Sequence, residues 1–161
     1  MVVTIAETDR PVRCAKGLRV LPDHTLDDHP PLDGVLVPGG MGTRHESTNR
    51  VVLDWLAKQA ATAAWMTSVC TGSLLLHASG VAEGRRLATH WSFEDALEAR
   101  GATVVRDARF VRDGNVVSSQ GVSAGIDMAL WLVGQLTSPA HARATQRYIQ
   151  YEPAPPYTAD V

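Results

Sequence analysis

Apolar positions along this chain switch between a strand period and a helix period several times, and the switches outline the fold. Val2, Val3, Ile5 and Ala6 make residues 2–6 a first strand, while residues 12–15 and 18–21 around Lys16 and Gly17 read as a short hairpin or a bent extension of it. Residues 23–31 are polar and carry prolines, which predicts a connecting loop. Gly34–Val37 reads as a buried strand closed by Pro38, Gly39 and Gly40, a turn that opens its backbone amides to whatever lies above the sheet. Val52, Leu53, Leu56 and Ala60 recur on one face of a helix expected over residues 49–63. Trp65–Val69 is the next strand, and Leu74, Leu75, Leu76 and Ala78 form the apolar side of a helix that stops at Gly80.

The second half continues the alternation. Residues 86–88 predict a short strand ending at Thr89 and His90, after which Ser92 and Asp95 form a capping box for a helix that terminates at Gly101. Asp113 and Gly114 are a strong hairpin signal between residues 109–112 and 116–118, a pair expected to decorate the sheet edge. Ile126, Leu130, Val133 and Leu136 have the spacing of a buried helix, and Ser138 with Pro139 starts a final one. Strands alternating with helices predict an α/β fold: a mostly parallel sheet with helices on both faces and sites beyond the carboxyl ends of the strands. Gly39, Cys70 and His90 each follow a predicted strand and are therefore expected on one edge. Residues 1–151 read as one domain and residues 152–161 as a proline-rich tail.

Composition narrows the function classes. A chain of 161 residues, 45% hydrophobic and 20% charged, supports one globular core and not two. A net charge of -2 without a long basic run gives no footprint for nucleic acid or an anionic membrane. No apolar stretch reaches transmembrane length, and residues 1–6 lack the basic flank and cleavage site of a secretory signal. A cytoplasmic protein is expected. Cys14 and Cys70 are the only cysteines, too few for a disulfide framework and without ligand spacing for zinc, so neither metal nor cofactor is predicted.

Cys70 is the leading candidate for chemistry. It sits on a strand-to-helix turn, where free N–H groups and the positive end of a helix dipole favour the nucleophilic thiolate. Gly72 keeps side-chain bulk out of the same turn. The alternative, a small cysteine that merely packs, loses weight because of that position.

The motifs Pro38-Gly39-Gly40, Ser68-Val69-Cys70-Thr71-Gly72, Ala88-Thr89-His90-Trp91, Val111-Arg112-Asp113-Gly114-Asn115 and Ser123-Ala124-Gly125-Ile126-Asp127 occur in the order and spacing typical of the ThiJ/PfpI superfamily. More narrowly, the chain resembles the isonitrile hydratase branch and the related sensor domains found in front of AraC-type regulators. The likeness runs from the first strand through Tyr151-Glu152-Pro153-Ala154-Pro155-Pro156. It implies a flavodoxin-like sheet and a homodimer. Superfamily members usually begin with a further strand and helix, and that helix supplies an Asp or Glu to the cysteine. The resemblance therefore implies a sheet lacking the first strand–helix unit, with unpaired backbone edges inside it. An earlier start, a shortened chain and a partner chain that fills the gap each account for this.

In that comparison Cys70 is the nucleophile that attacks the terminal carbon of an isonitrile, giving a thioimidate that water converts to an N-substituted formamide. Thr71 would place its N–H toward developing charge and its hydroxyl toward water, although it also suits an ordinary helix start. The Gly39 and Gly40 amides would complete an anion hole. His90 would be the base, or else a hydrogen-bonded structural histidine; Thr71 stands where the protease-like branch has its histidine, so a dyad of that kind is absent. His24, His29, His45, His77 and His141 read as solvated or packing residues, Asp127 as structural, and Trp91 and Trp131 as core or interface aromatics. Two functions follow: a cysteine-dependent hydratase acting on a small molecule, or a catalytically silent domain that senses a ligand or oxidation at Cys70. A DNA-binding activator is not expected, because no helix-turn-helix region follows Tyr151.

Overall fold

β-Branched and small residues are densest in Trp65–Val69 and Val116–Ser119, and these two segments pair at the centre of the structure. The structure is a computed structural model describing residues 1–153; the rest of the expected proline-rich tail lies outside the described residues. The strands are β1 (Ile5–Ala6), β2 (Val12–Arg13), β3 (Arg19–Val20), β4 (His24–Thr25), β5 (Gly34–Val37), β6 (Trp65–Val69), β7 (Arg86–Leu87), β8 (Thr103–Val104), β9 (Phe110–Asp113) and β10 (Val116–Ser119). The helices are α1 (Thr43–Glu46), α2 (Arg50–Ala60), α3 (Ser73–Ala78), α4 (Glu94–Glu98), α5 (Val122–Leu136) and α6 (Pro139–Tyr148).

The main sheet has the order β5-β6-β10-β9, parallel except where β9 meets β10. Its register puts Val35, Met66 and Val116 on one face, where they join Leu56 of α2, Leu74 and Leu76 of α3 and Leu97 of α4 in the core. Trp65 and Val69 point the other way, against Trp131 and Gly125 of α5. Helices thus cover both faces, as the α/β and flavodoxin-like expectation requires, and the carboxyl ends of β5, β6 and β10 share one edge. Short sheets β1-β4, β2-β3 and β7-β8 complete the fold.

Among the described residues β1 pairs with β4 and not with β5, and β5 pairs only with β6. Leu36, level with Thr67 on the α5 face, is 49% exposed.

Several local expectations need correction. The pair around Asp113 and Gly114 is no edge ornament: β10 lies inside the sheet, with Val116 and Val117 at most 1% exposed, and only β9 takes the edge. Val-Val-Ser-Ser suits that place because small side chains let helices pack on both faces. The expected loop at residues 23–31 contains β4, which is held to β1 by tertiary pairing rather than by its own propensity. The helix expected after Ser92 starts with a 3-10 turn, Trp91–Phe93, and His90 rather than Ser92 is its cap. Asn49 caps α2 and Ser138 caps α6, each accepting a backbone N–H through its side chain.

Candidate active site

Cys70 begins a 3-10 turn, Cys70–Gly72, that runs directly into α3. Its φ is 58°, a left-handed conformation that costs a non-glycine residue about 1–3 kcal/mol and persists only where surrounding structure imposes it. The imposing contacts come from three elements. The Cys70 N–H donates to Gln120 O at 3.0 Å, beyond β10. Its carbonyl accepts from Thr89 Oγ1 and from Ser73 Oγ, each at 3.1 Å. Among the described residues every hydrogen bond of the half-buried Cys70 runs through its backbone, which leaves the sulfur without a partner.

Glycines make the close approach possible. A Cβ on Gly39 would lie 2.7 Å from Cys70 Cβ and 2.8 Å from both Thr71 N and Val69 O. A Cβ on Gly72 would lie 2.2 Å from Val37 O. The turn after β5 is therefore pressed onto the turn after β6, backbone against backbone.

The two glycines differ as donors. The Gly40 N–H is engaged with Thr71 Oγ1 at 3.0 Å, whereas the Gly39 N–H donates to no group among the described residues. Thr71 Oγ1 is 3.2 Å from Gly40 O, and Thr43 Oγ1 is 2.8 Å from the same oxygen and 3.1 Å from Thr71 Oγ1. Both hydroxyl protons have an acceptor in this ring. Buried Thr71 is thus oriented by the Gly40 turn and offers further partners a lone pair rather than a proton.

His90 is brought to the same edge but does not bond to Cys70. Its Nδ1 is 2.9 Å from Ser92 Oγ and accepts the Ser92 N–H at 3.3 Å, so a neutral ring carries its proton on Nε2. The ring lies against Gly121, where a Cβ would come within 2.9 Å of His90 Cδ2.

The other candidates are placed elsewhere. His77 Nε2 is 2.9 Å from Arg100 O, and His29 sits between Pro30 O and the Trp55 indole, both packing roles. Asp127 pairs with the Arg109 side chain rather than with backbone, and Trp131 packs on Trp65, while Trp91 is 74% exposed. A crevice lined by Leu26, His29, Pro31, Lys58 and Gln59 does not include Cys70. No group of metal-ligating side chains and no helix long and apolar enough to cross a membrane occurs among the described residues. Thr43, Gln120 and Gly121 went unnoticed in the sequence; Gly121 opens the stretch before α5, and only the fold brings it to His90.

This geometry belongs to a recognisable class. The chain matches the DJ-1/PfpI family over residues 1–135 and is a member of that family. It is 44% identical over 147 residues to an isonitrile hydratase of Pseudomonas putida, covering 91% of this chain and 64% of that protein. It is also 33% identical over 133 residues to the HTH-type transcriptional regulator GbdR of Pseudomonas aeruginosa, covering 82% of this chain and 36% of the regulator. The crystal structure of a ThiJ/PfpI family protein from Pseudomonas syringae superposes with a TM-score of 0.93 at 35% identity, over 100% of this chain and 67% of that one. The chain thus spans less than two thirds of the length of the hydratase and about a third of the regulator.

Proposed function

We propose that this chain acts as an isonitrile hydratase-like enzyme with Cys70 as nucleophile, in a cytoplasmic homodimer. The observation that carries the reading is Cys70 itself, held at φ 58° on the strand-to-helix turn with its sulfur free of partners among the described residues. The likeness to the Pseudomonas putida hydratase supplies the substrate class. The Cys70 thiolate forms a C–S bond to the terminal carbon of R–N≡C, and that carbon takes up a proton, giving the thioimidate R–N=CH–S–Cys70. Water then adds to the same carbon; the C–S bond breaks, the nitrogen is protonated, and R–NH–CHO leaves with the thiolate restored. One water is consumed per turnover. The Gly39 N–H, like that of Thr71, donates to no group among the described residues and is a donor toward developing negative charge, a kind of contact worth about 3 kcal/mol in other enzymes. Thr71 accepts a hydrogen bond from the attacking water and so turns a water lone pair toward carbon, and His90 offers Nε2–H as a hydrogen-bond donor toward the negative charge that develops on the substrate.

Incubation with an alkyl isonitrile, followed by chromatography of the products, tests this. A formamide that disappears in Cys70→Ser is the expected result, and no formamide from the wild-type chain overturns the reading. A second reading, a silent domain that senses a ligand or oxidation, is favoured by one observation: no carboxylate reaches Cys70 among the described residues. Under it, peroxide converts Cys70 selectively to sulfinic acid while isonitriles are left unchanged.

A further inference from the structure

Three turns meet around Cys70: Gly39–Gly40 after β5, Thr89–His90 after β7, and Gln120–Gly121 after β10. In each, the residue that follows is large, apolar and open to solvent. Met41 is 68% exposed, Trp91 74% and Val122 83%. Apolar residues scattered singly over a surface need no explanation, but these three each follow directly on a turn that touches Cys70, from three separate elements. The Trp91 ring lies 5.6 Å from the His90 ring, centroid to centroid, which ties it to the same edge. The cation nearby, Arg44, is held with its guanidinium 4.8 Å over Phe93 and Nη1 3.5 Å from Gly40 O.

We infer that Met41, Trp91 and Val122 form an apolar collar that selects the substituent of whatever molecule reacts at Cys70, favouring uncharged hydrocarbon groups over charged ones. Under the proposed hydratase reading, on which the choice of substrate rests, the isonitrile carbon goes to the sulfur and R lies against the collar. Selection by the collar is a matter of apolar area covered, and covering part of a six-carbon ring changes a rate by roughly fivefold to tenfold.

The chain carries its own reference thiol, the exposed Cys14 of the segment joining β2 and β3. The test alkylates the full chain with N-cyclohexylmaleimide or with N-(2-carboxyethyl)maleimide and reads the Cys70-to-Cys14 labelling ratio by peptide mass spectrometry. The ratio is expected to be roughly fivefold to tenfold higher for the cyclohexyl reagent, and to become equal for both reagents in Met41→Ser/Trp91→Ser/Val122→Ser. Trp91→Ser alone, a change at an exposed position, should lower the preference partway. Equal ratios in the wild-type chain, a preference for the carboxylate reagent, or a preference that survives the triple substitution each overturn the inference. Failure of the hydratase reading looks different: no formamide from any isonitrile, with the thiol preference intact.

Discussion

Replacing Gly39 by alanine tests whether the β5 turn is pressed onto the cysteine. The added Cβ meets Cys70 Cβ at 2.7 Å and two backbone atoms, Thr71 N and Val69 O, at 2.8 Å, all closer than carbon tolerates. A flexible side chain could swing aside, but the backbone atoms belong to β6 and to the turn that starts α3. Overpacking of this kind costs about 1–3 kcal/mol, and the two backbone contacts place Gly39→Ala in the upper half, about 2–3 kcal/mol. For a chain of this size each kcal/mol lowers Tm by about 2–4 °C, so the variant should melt roughly 4–12 °C lower. Gly42→Ala is the control: it lies three residues away at φ -60° with nothing within 4 Å of its Cβ position, and should stay within about 0.5 kcal/mol of wild type. Urea unfolding followed by circular dichroism supplies both values. The packing argument is refuted if Gly39→Ala is as stable as Gly42→Ala.

Two further outcomes follow from the same geometry. His90→Ala should lose about 0.5–2 kcal/mol through the lost cap, while His90→Asn keeps a side-chain acceptor and most of the stability but none of the Nε2–H; equal unfolding midpoints for Ala and Asn would reject the capping role, and undiminished turnover in Asn would reject the donor role. The Asp113 carboxyl is held below its ordinary value of 3.8, first by the Arg86 N–H and then by the Arg85 side chain. Its contribution to stability is therefore complete above pH about 4 and fades as the pH falls through the lowered folded-state value. The gap between wild type and Asp113→Asn in urea midpoint should shrink from pH 6 to pH 3, and a constant gap would contradict the assignment.

What the sequence revealed depended on the range of the forces involved. Periodicity located α2, β6, α5 and the central strands because each buries enough apolar surface to carry its own signal. β4 and β8 were invisible, each being two residues long and strand only because β1 or β7 lies beside it. The burial of β10 was also missed: a local turn signal reports a hairpin but not which of its strands another element will cover. Cys70, Thr71, Gly39 and His90 stood out because strand ends and turns are local. Their relations did not, since the hydrogen bond from Gly40 to Thr71 spans 31 residues and that from Cys70 to Gln120 depends on β10 lying next to β6. The His90 cap shows the limit most clearly, because histidine is a rare cap and Ser92 was the ordinary choice by residue type.

The central claim is that Cys70 Sγ forms a bond to the reacting carbon, and rapid acid quenching during turnover with an alkyl isonitrile tests it most directly. Intact-protein and peptide mass spectrometry should find a species heavier by one isonitrile, located at Cys70, absent in Cys70→Ser and absent at Cys14. Formamide produced without any adduct at Cys70, or at an unchanged rate in Cys70→Ser, would contradict it.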